Sequence, residues 1–396
     1  MIDPIGAYNA VKDGVIRYVQ TTFKTRYDSI NSERELQLKN SDVLCQKPWI
    51  EALPTYRSSG LSLDSKSKQS DQTRDLTTED LDDVFDECTL KEFKQFATCG
   101  LFSQDHTLYQ HQYEMLKVAL KGDRHCIITS GTGSGKTESF LLPIFAYLVK
   151  ESSDAETWSR PRKKREHQDD YWQHKSQWIP QRINETRPAA VRAMILYPMN
   201  ALVEDQLVRL RKALDSESAL EWLNKHRNGN RFYFGRYTGV TPVTGDRRSM
   251  DTIGLKYKSG ELRKKLREFE DASDRAKLFS KSASTQDSPT LRDEKKEASF
   301  FFQNLNGAEM RSRWDMQEHP PDILITNFSM LSIMMMRGEE SGIFDKTRDW
   351  LKEGRDSGKE RLFHLVLDEI HLYRGTAGTE VAYLLRLLLY RLGLTP

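Results

Sequence analysis

Cysteine is scarce in this chain of 396 residues, and its four copies (Cys45, Cys88, Cys99, Cys126) form no Cys-x-x-Cys pair. That spacing argues against a zinc knuckle or a disulfide framework and fits a reducing compartment. Long apolar runs are missing too. None approaches the roughly 18 residues of a membrane helix, and no secretory leader pattern is present. The expectation is a soluble, cytoplasmic protein with no membrane partner. Charge of one sign is also absent: 60 Lys and Arg against 58 Asp and Glu leave a formal net charge of +2. Any surface for an anionic polymer must therefore be local. With 37% hydrophobic and 30% charged residues, the chain can build a sizeable core while much of its length stays solvated. Its length suits two or three structural units, or one large domain carrying insertions.

What the chain does have is Cys126-Ile127-Ile128-Thr129 followed by Ser130-Gly131-Thr132-Gly133-Ser134-Gly135-Lys136-Thr137. An apolar β-branched run, a glycine-rich turn and an apolar-striped segment (Phe140, Leu141, Ile144, Phe145, Leu148) predict strand, loop and helix. In that order they make a phosphate loop. The glycines let successive N–H groups converge on one anion, and the helix presents its positive end to the same point. Lys136 can then reach the β- and γ-phosphates, and Thr137 can offer a hydroxyl to Mg²⁺. Ser130 stands where the strict pattern has glycine.

The rest of the chain organises around this loop. Residues 1–57 predict a helical accessory region, with apolar residues at helical spacing from Ile5 to Phe23 and an extended segment around Pro48 to Pro54. Residues 58–76 are rich in Ser, Lys, Asp and Gln and read as a flexible linker. From 77 onward an α/β alternation is interrupted twice. Residues 151–188 mix charges with Trp158, Tyr171, Trp172 and Trp178, and residues 241–318 carry a charged amphipathic helix and a Ser/Lys/Asp/Glu tract. The first reads as a solvated insertion, although basic residues among aromatics can also hold a single strand. Arg311, Arg313 and Trp314 are expected to pack or pair locally.

Three further strand ends carry polar residues. Val191–Tyr197 leads into Pro198-Met199-Asn200, where Asn200 opens a helix striped by Leu202, Leu207, Leu210 and Leu214. Asp322–Asn327 is an apolar strand ending in Thr326-Asn327. Phe363–Leu367 delivers Asp368-Glu369-Ile370-His371 to its carboxyl end, where doubly wound sheets place their ligands. Asp368 can hold Mg²⁺, and Glu369 can orient and deprotonate an attacking water.

Together with Leu108-Tyr109-Gln110-His111-Gln112, these segments resemble the motifs of superfamily 2 DEAD/DEAH-box helicases, here in a DEIH form. The wording Tyr-Pro-Met-Asn-Ala-Leu-Val-Glu-Asp-Gln and Asp-Glu-Ile-His-Leu-Tyr-Arg-Gly resembles bacterial DExH repair helicases and the large anti-phage defence helicases of DISARM and Druantia type. The resemblance implies a RecA-like α/β domain over residues 77–396 with a mostly parallel sheet, and ATP with Mg²⁺ as cofactors. It implies Gln112 as the adenine reader and Ser130 to Thr137 as the phosphate site. Lys136, Asp368 and Glu369 would be catalytic, with Thr137 and Asp368 on the metal. Asn200, Thr326 and Asn327 would lie on a nucleic-acid backbone, DNA in preference to RNA, and His371 would couple the nucleotide to later motifs.

The Ser-Ala-Thr motif, the second RecA-like domain and its arginine finger do not occur within residues 1–396. The expectation is the motor half of an ATP-dependent helicase in defence or repair. It would be completed by a second RecA-like domain in a longer chain or a partner subunit, and inactive when alone. The alternative is a nucleotide-binding scaffold or switch without hydrolysis of its own.

Overall fold

The computed structural model describes residues 3–40, 44, 55–63, 73–102, 106–122, 124–131, 133–154, 158, 170–174, 177–183, 185, 187–284 and 287–394. The chain divides into two compact units, Met1–Thr55 and Tyr56–Pro396. The first holds α1 (Pro4–Thr22) and α2 (Asp28–Lys39). The Asp3 carboxylate accepts the Gly6 N–H and starts α1, satisfying one of the donors a helix leaves unpaired at its N-terminus. Between the helices, Asn31 and Arg34 hold the backbone of Thr25 and Phe23. The extended segment expected around Pro48 to Pro54 lies outside the described residues.

The second unit opens with β1 (Ser58–Ser62), β2 (Arg74–Asp75) and β3 (Thr107–Tyr109), in the order β2-β1-β3. This corrects the linker reading of 58–76 where the chain is described. The alternation Leu61-Ser62-Leu63 puts two leucines into the core, with Leu76 beside them, despite the polar composition around them. Next come α3 (Glu87–Ala97), α4 (Gln110–Ala119) and α5 (Lys136–Ser152). Phe140 through Val149 of α5 are all buried, so this helix is apolar all round because the core surrounds it.

The main sheet contains β4 (Ala193–Tyr197), β5 (Phe234–Arg236), β6 (Ile323–Asn327) and β7 (His364–Leu367), all parallel, in the order β5-β6-β4-β7. Every residue of β4 is buried, as expected for a strand paired on both edges and covered on both faces. The crossovers supply helices α6 (Asn200–Leu214), α7 (Glu217–His226), α8 (Thr252–Lys281), α9 (Pro289–Glu297), α10 (Arg313–Glu318), α11 (Phe328–Met336) and α12 (Ser341–Ser357). Helix α13 (Gly375–Arg391) follows β7. Register pairs Tyr197 with Asn327 and Leu196 with Leu367, so the carboxyl ends of three strands lie in a row.

Two expectations fail here. Cys126–Thr129 is extended but joins no ladder among the described residues, and Ile127 is 83% exposed. A β-branched run favours extension, but a strand needs a neighbour to receive its hydrogen bonds. The segment 151–188 is not simply solvated in its described part. Tyr171 and Trp172 are fully buried in a second core with Val243, Leu262, Leu266, Leu305 and Trp314 from the other insertion. Trp172 Nε1 donates to Glu270 at 2.9 Å, and Arg311 lies over its ring at 4.5 Å. Each buried tryptophan removes roughly 200 Å² from water, about 5 kcal/mol before entropic costs. That is reason enough for the two insertions to close on each other. Arg311, Arg313 and Trp314 pack within this region, as read from the sequence. The basic tract Arg160 to Arg165 lies outside the described residues.

A buried ionic cluster joins the end of the first insertion to the sheet. Asp322, fully buried beside β6, accepts two bonds from Arg187 (2.7 and 2.5 Å) and one from the Tyr233 N–H (2.7 Å). Arg192 lies 3.1 Å away and is itself held in a fork by Glu151. The two arginines hold the Asp322 carboxyl well below the usual range, overcoming a burial that alone would raise it.

Candidate nucleotide and strand site

The loop before α5 takes its shape from two left-handed residues, Gly133 (φ +75°) and Gly135 (φ +74°). At Gly133 only the backbone conformation demands glycine. At Gly135 a Cβ would also lie 2.5 Å from Gln112 Nε2. Ser130 and Ser134 close the loop hydroxyl to hydroxyl at 2.7 Å. Thr132 lies outside the described residues. Lys136 and Thr137 form the first turn of α5, where unpaired backbone N–H groups and the positive end of the helix dipole can receive an anion.

Helix α4 braces this loop from behind. His111 Nε2 meets the Ser134 carbonyl at 2.9 Å, and Gln112 Nε2 donates to the Gly135 carbonyl at 3.3 Å. Gln112 Oε1 accepts the Tyr109 N–H at 3.0 Å, completing a capping box. Gln112 is buried, with 1% exposure, and its Oε1 also lies 3.4 Å from His106 Nε2.

On the other side, β7 ends at Asp368, whose N–H continues the ladder to the Leu196 carbonyl. Burial pushes the Asp368 carboxyl up. The Glu369 N–H, 3.0 Å from Oδ1, opposes this; the Glu369 charge adds to it, and Lys136 and His371 pull it back. Lys136 from the loop and Asp368 from β7 thus act on one another electrostatically. Glu369 sits at φ +50°, a left-handed conformation that costs a non-glycine residue of order 1 kcal/mol. His371 Nδ1 lies 3.2 Å from Glu369 Oε2. Tyr197, at the end of β4, buries its hydroxyl without a hydrogen-bond partner, and the nearby Asp368 charge raises its pKa beyond the effect of burial.

Among the described residues no three His, Cys, Asp or Glu side chains cluster as a metal cage. Thr137 and Asp368 offer one hydroxyl and one carboxylate. That sparse oxygen set fits Mg²⁺, which keeps its waters and takes further ligands from phosphates.

Sequence reasoning gave no role to two neighbours of Thr137. Gln206 Nε2, on α6, donates to Thr137 Oγ1 at 3.3 Å, and Arg209, one turn on, pairs with Glu138. Gln206 was visible within the 197–206 segment, but nothing in its spacing says that α6 leans on α5. The same helix begins at Asn200, so the expected strand contact and Gln206, which donates to the Thr137 hydroxyl, share one helix.

Of the other expected strand contacts, Thr326 is fully buried and donates its hydroxyl to the Tyr237 carbonyl at 2.7 Å. Asn327 caps α11 through the Met330 N–H at 2.7 Å. Asn327 and the start of α6 nonetheless lie beside the ends of β6 and β4, in the same row as Asp368.

Residues 109–233 match the DEAD/DEAH box helicase family. Druantia protein DruE of Escherichia coli (strain UMEA 4076-1) is 32% identical over 415 residues, a match covering 98% of this chain. The chain spans about a fifth (20%) of that protein's length. No solved structure matches it.

Proposed function

The chain carries a DEAD/DEAH box helicase domain, and from that premise we propose that it is the ATP-binding motor half of a nucleic-acid translocase in anti-phage defence. What supports the reading is the glycine loop that opens α5 at Lys136 and Thr137, together with Asp368 and Glu369 at the carboxyl end of β7, the Lys136 charge acting on the Asp368 carboxyl. The defence assignment rests on the similarity to a Druantia protein.

On this reading Lys136 and the N–H groups of the loop bind the β- and γ-phosphates, and Gln112 and His111 keep the loop in shape. Mg²⁺, held by Thr137 and Asp368, would neutralise charge on those phosphates. Glu369 orients water for in-line attack and takes its proton, while His371 fixes the Glu369 carboxylate. The amides at the start of α6 and α11 hold a strand backbone, DNA in preference to RNA, without reading its sequence. Positive charge on the far side of the γ-phosphate would come from a second RecA-like unit, worth roughly 10³–10⁵ in turnover. The setting is cytoplasmic, and no helix among the described residues is long and apolar enough to cross a membrane.

Calorimetry with Mg-ATP and phosphate-release assays test this. Lys136→Ala should abolish binding without unfolding the chain. Glu369→Gln should keep binding and stop turnover in the assembly that contains the second unit. Equal affinity in the lysine variant would refute the site. Undiminished turnover in the glutamate variant would refute the base, and no turnover in any complete assembly would favour a scaffold or switch.

A further inference from the structure

The N-terminal half of α8 has a charge that the rest of the chain does not. Between Thr252 and Arg267 stand Lys256, Lys258, Arg263, Lys264, Lys265 and Arg267 against Glu261 alone, a surplus of five where the whole chain has +2. Helical spacing sorts these residues. Leu255, Leu262, Leu266 and Phe269 face the core shared by the two insertions. The opposite face carries Ile253 (79% exposed), Lys256, Tyr257 (71% exposed), Gly260, Lys264 and Arg267. Among the described residues neither Lys256 nor Lys264 has a carboxylate in ion-pair range. Arg267 is exposed and donates its Nε to the Trp172 carbonyl at 2.9 Å.

Internal stability does not account for this face. Lys264 and Arg267 are like charges three apart on one helix, a repulsive spacing. Gly260, mid-helix, is the costliest residue there short of proline. A Cβ at that position would meet nothing within 4 Å, so packing does not require the glycine. It leaves a bare stretch of backbone between Tyr257 and Lys264, which is useful only if something outside comes close.

We propose that this face of α8 binds the sugar-phosphate backbone of single-stranded nucleic acid, with Lys256, Lys264 and Arg267 on phosphates, Tyr257 stacking on a base, and Gly260 admitting the strand. Exposed aromatic surface among unpaired cations is the pattern that holds single strands without sequence preference, and a duplex offers Tyr257 no free base face. The surface extends the strand track of the proposed function, on which it rests. The chain leaves β5 at the carboxyl end of the sheet, the end that carries Asp368, and reaches α8 through residues 237–251, where Asp251 caps the helix start.

The test uses the whole 396-residue chain and a fluorescein-labelled oligothymidylate, titrated across salt. Lys256→Gln with Lys264→Gln should weaken binding about tenfold at low salt and flatten the salt slope by about 1.4, at roughly 0.7 per phosphate released. Gly260→Ala should raise the melting temperature while weakening binding, a pairing that damage to the fold cannot produce. Mg-ATP affinity should be unchanged in both. If the parent binds the oligonucleotide and the variants bind it equally, this surface is refuted while the helicase reading stands. If the parent binds Mg-ATP and a polyglutamate probe but no oligonucleotide, the surface serves an acidic protein and the nucleic-acid assignment is refuted. Preference for duplex over single strand would also overturn it.

Discussion

Asp322→Asn should be among the most damaging isosteric changes in this chain. The asparagine fills the same volume, so cavity terms drop out and the loss is electrostatic. Arg187 loses a doubly bonded partner and Arg192 loses a neighbouring charge, both in full burial. Removing one side of such a cluster costs about 3–5 kcal/mol, because the remaining cations cannot recover their hydration. A domain's whole stability is of order 5–15 kcal/mol. With a urea m-value of roughly 3 kcal/mol/M, the midpoint should fall by about 1–1.7 M. The pH dependence gives a second check. The folded carboxyl lies below its unfolded value of about 3.9, so its contribution is complete above that pH and is lost as pH falls through the folded value. The gap between wild type and variant should stay constant from pH 5 to 8 and narrow below about pH 4. Urea melts followed by tryptophan fluorescence measure both. A shift under about 0.3 M, or a gap that widens in acid, would refute the assignment of this cluster as the link between insertion and sheet.

Asp215 should behave in the opposite sense. One carboxylate oxygen is sealed in without a partner, and burial pushes its pKa up to about 7 even though the Ala308 N–H bonds the other oxygen. The folded state therefore holds a proton that the unfolded state releases, and stability should fall as pH rises from about 4 to 7. Asp215→Asn should flatten that limb in thermal melts; an unchanged profile would count against it. Gly135→Ala should abolish Mg-ATP binding and do so more completely than Gly133→Ala, since only at 135 does a Cβ also strike Gln112. Equal loss at the two positions, read by calorimetry, would show that the Gln112 brace is unimportant.

How far the sequence reveals this molecule depends on which forces act locally. The Gly-rich loop, the capped helices and the strands at 193–197, 323–327 and 364–367 follow from residue type and period, and the structure has them. Lys136 and Thr137 at the start of α5, and Asp368 just past β7, stand where the pattern of their segments put them. What stayed hidden depends on partners distant in sequence. Nothing near Ile127 says whether a ladder will receive it. Leu61 and Leu63 are two apolar residues in a polar stretch, too few to announce a strand until β3 pairs with it. Trp172 and Trp314 lie in different insertions, and no local pattern predicts that they share a core. Gln112 could be read as part of a motif, but nothing in that motif says that its amide reaches the carbonyl of Gly135.

The strand order has a consequence for how the protein is made. Strand β4, the centre of the sheet, finds its ladders only with β6 and β7, and β7 ends about 170 residues after β4. At 5–20 residues per second, a ribosome takes roughly 10–30 s to cover that distance. For most of that interval, until β6 emerges, the nascent chain carries an apolar strand with both edges open, and one edge stays open until β7 follows; such a strand is the kind of template on which chains aggregate. Expression of this protein should therefore respond to slower growth temperature and to chaperones that shelter extended segments.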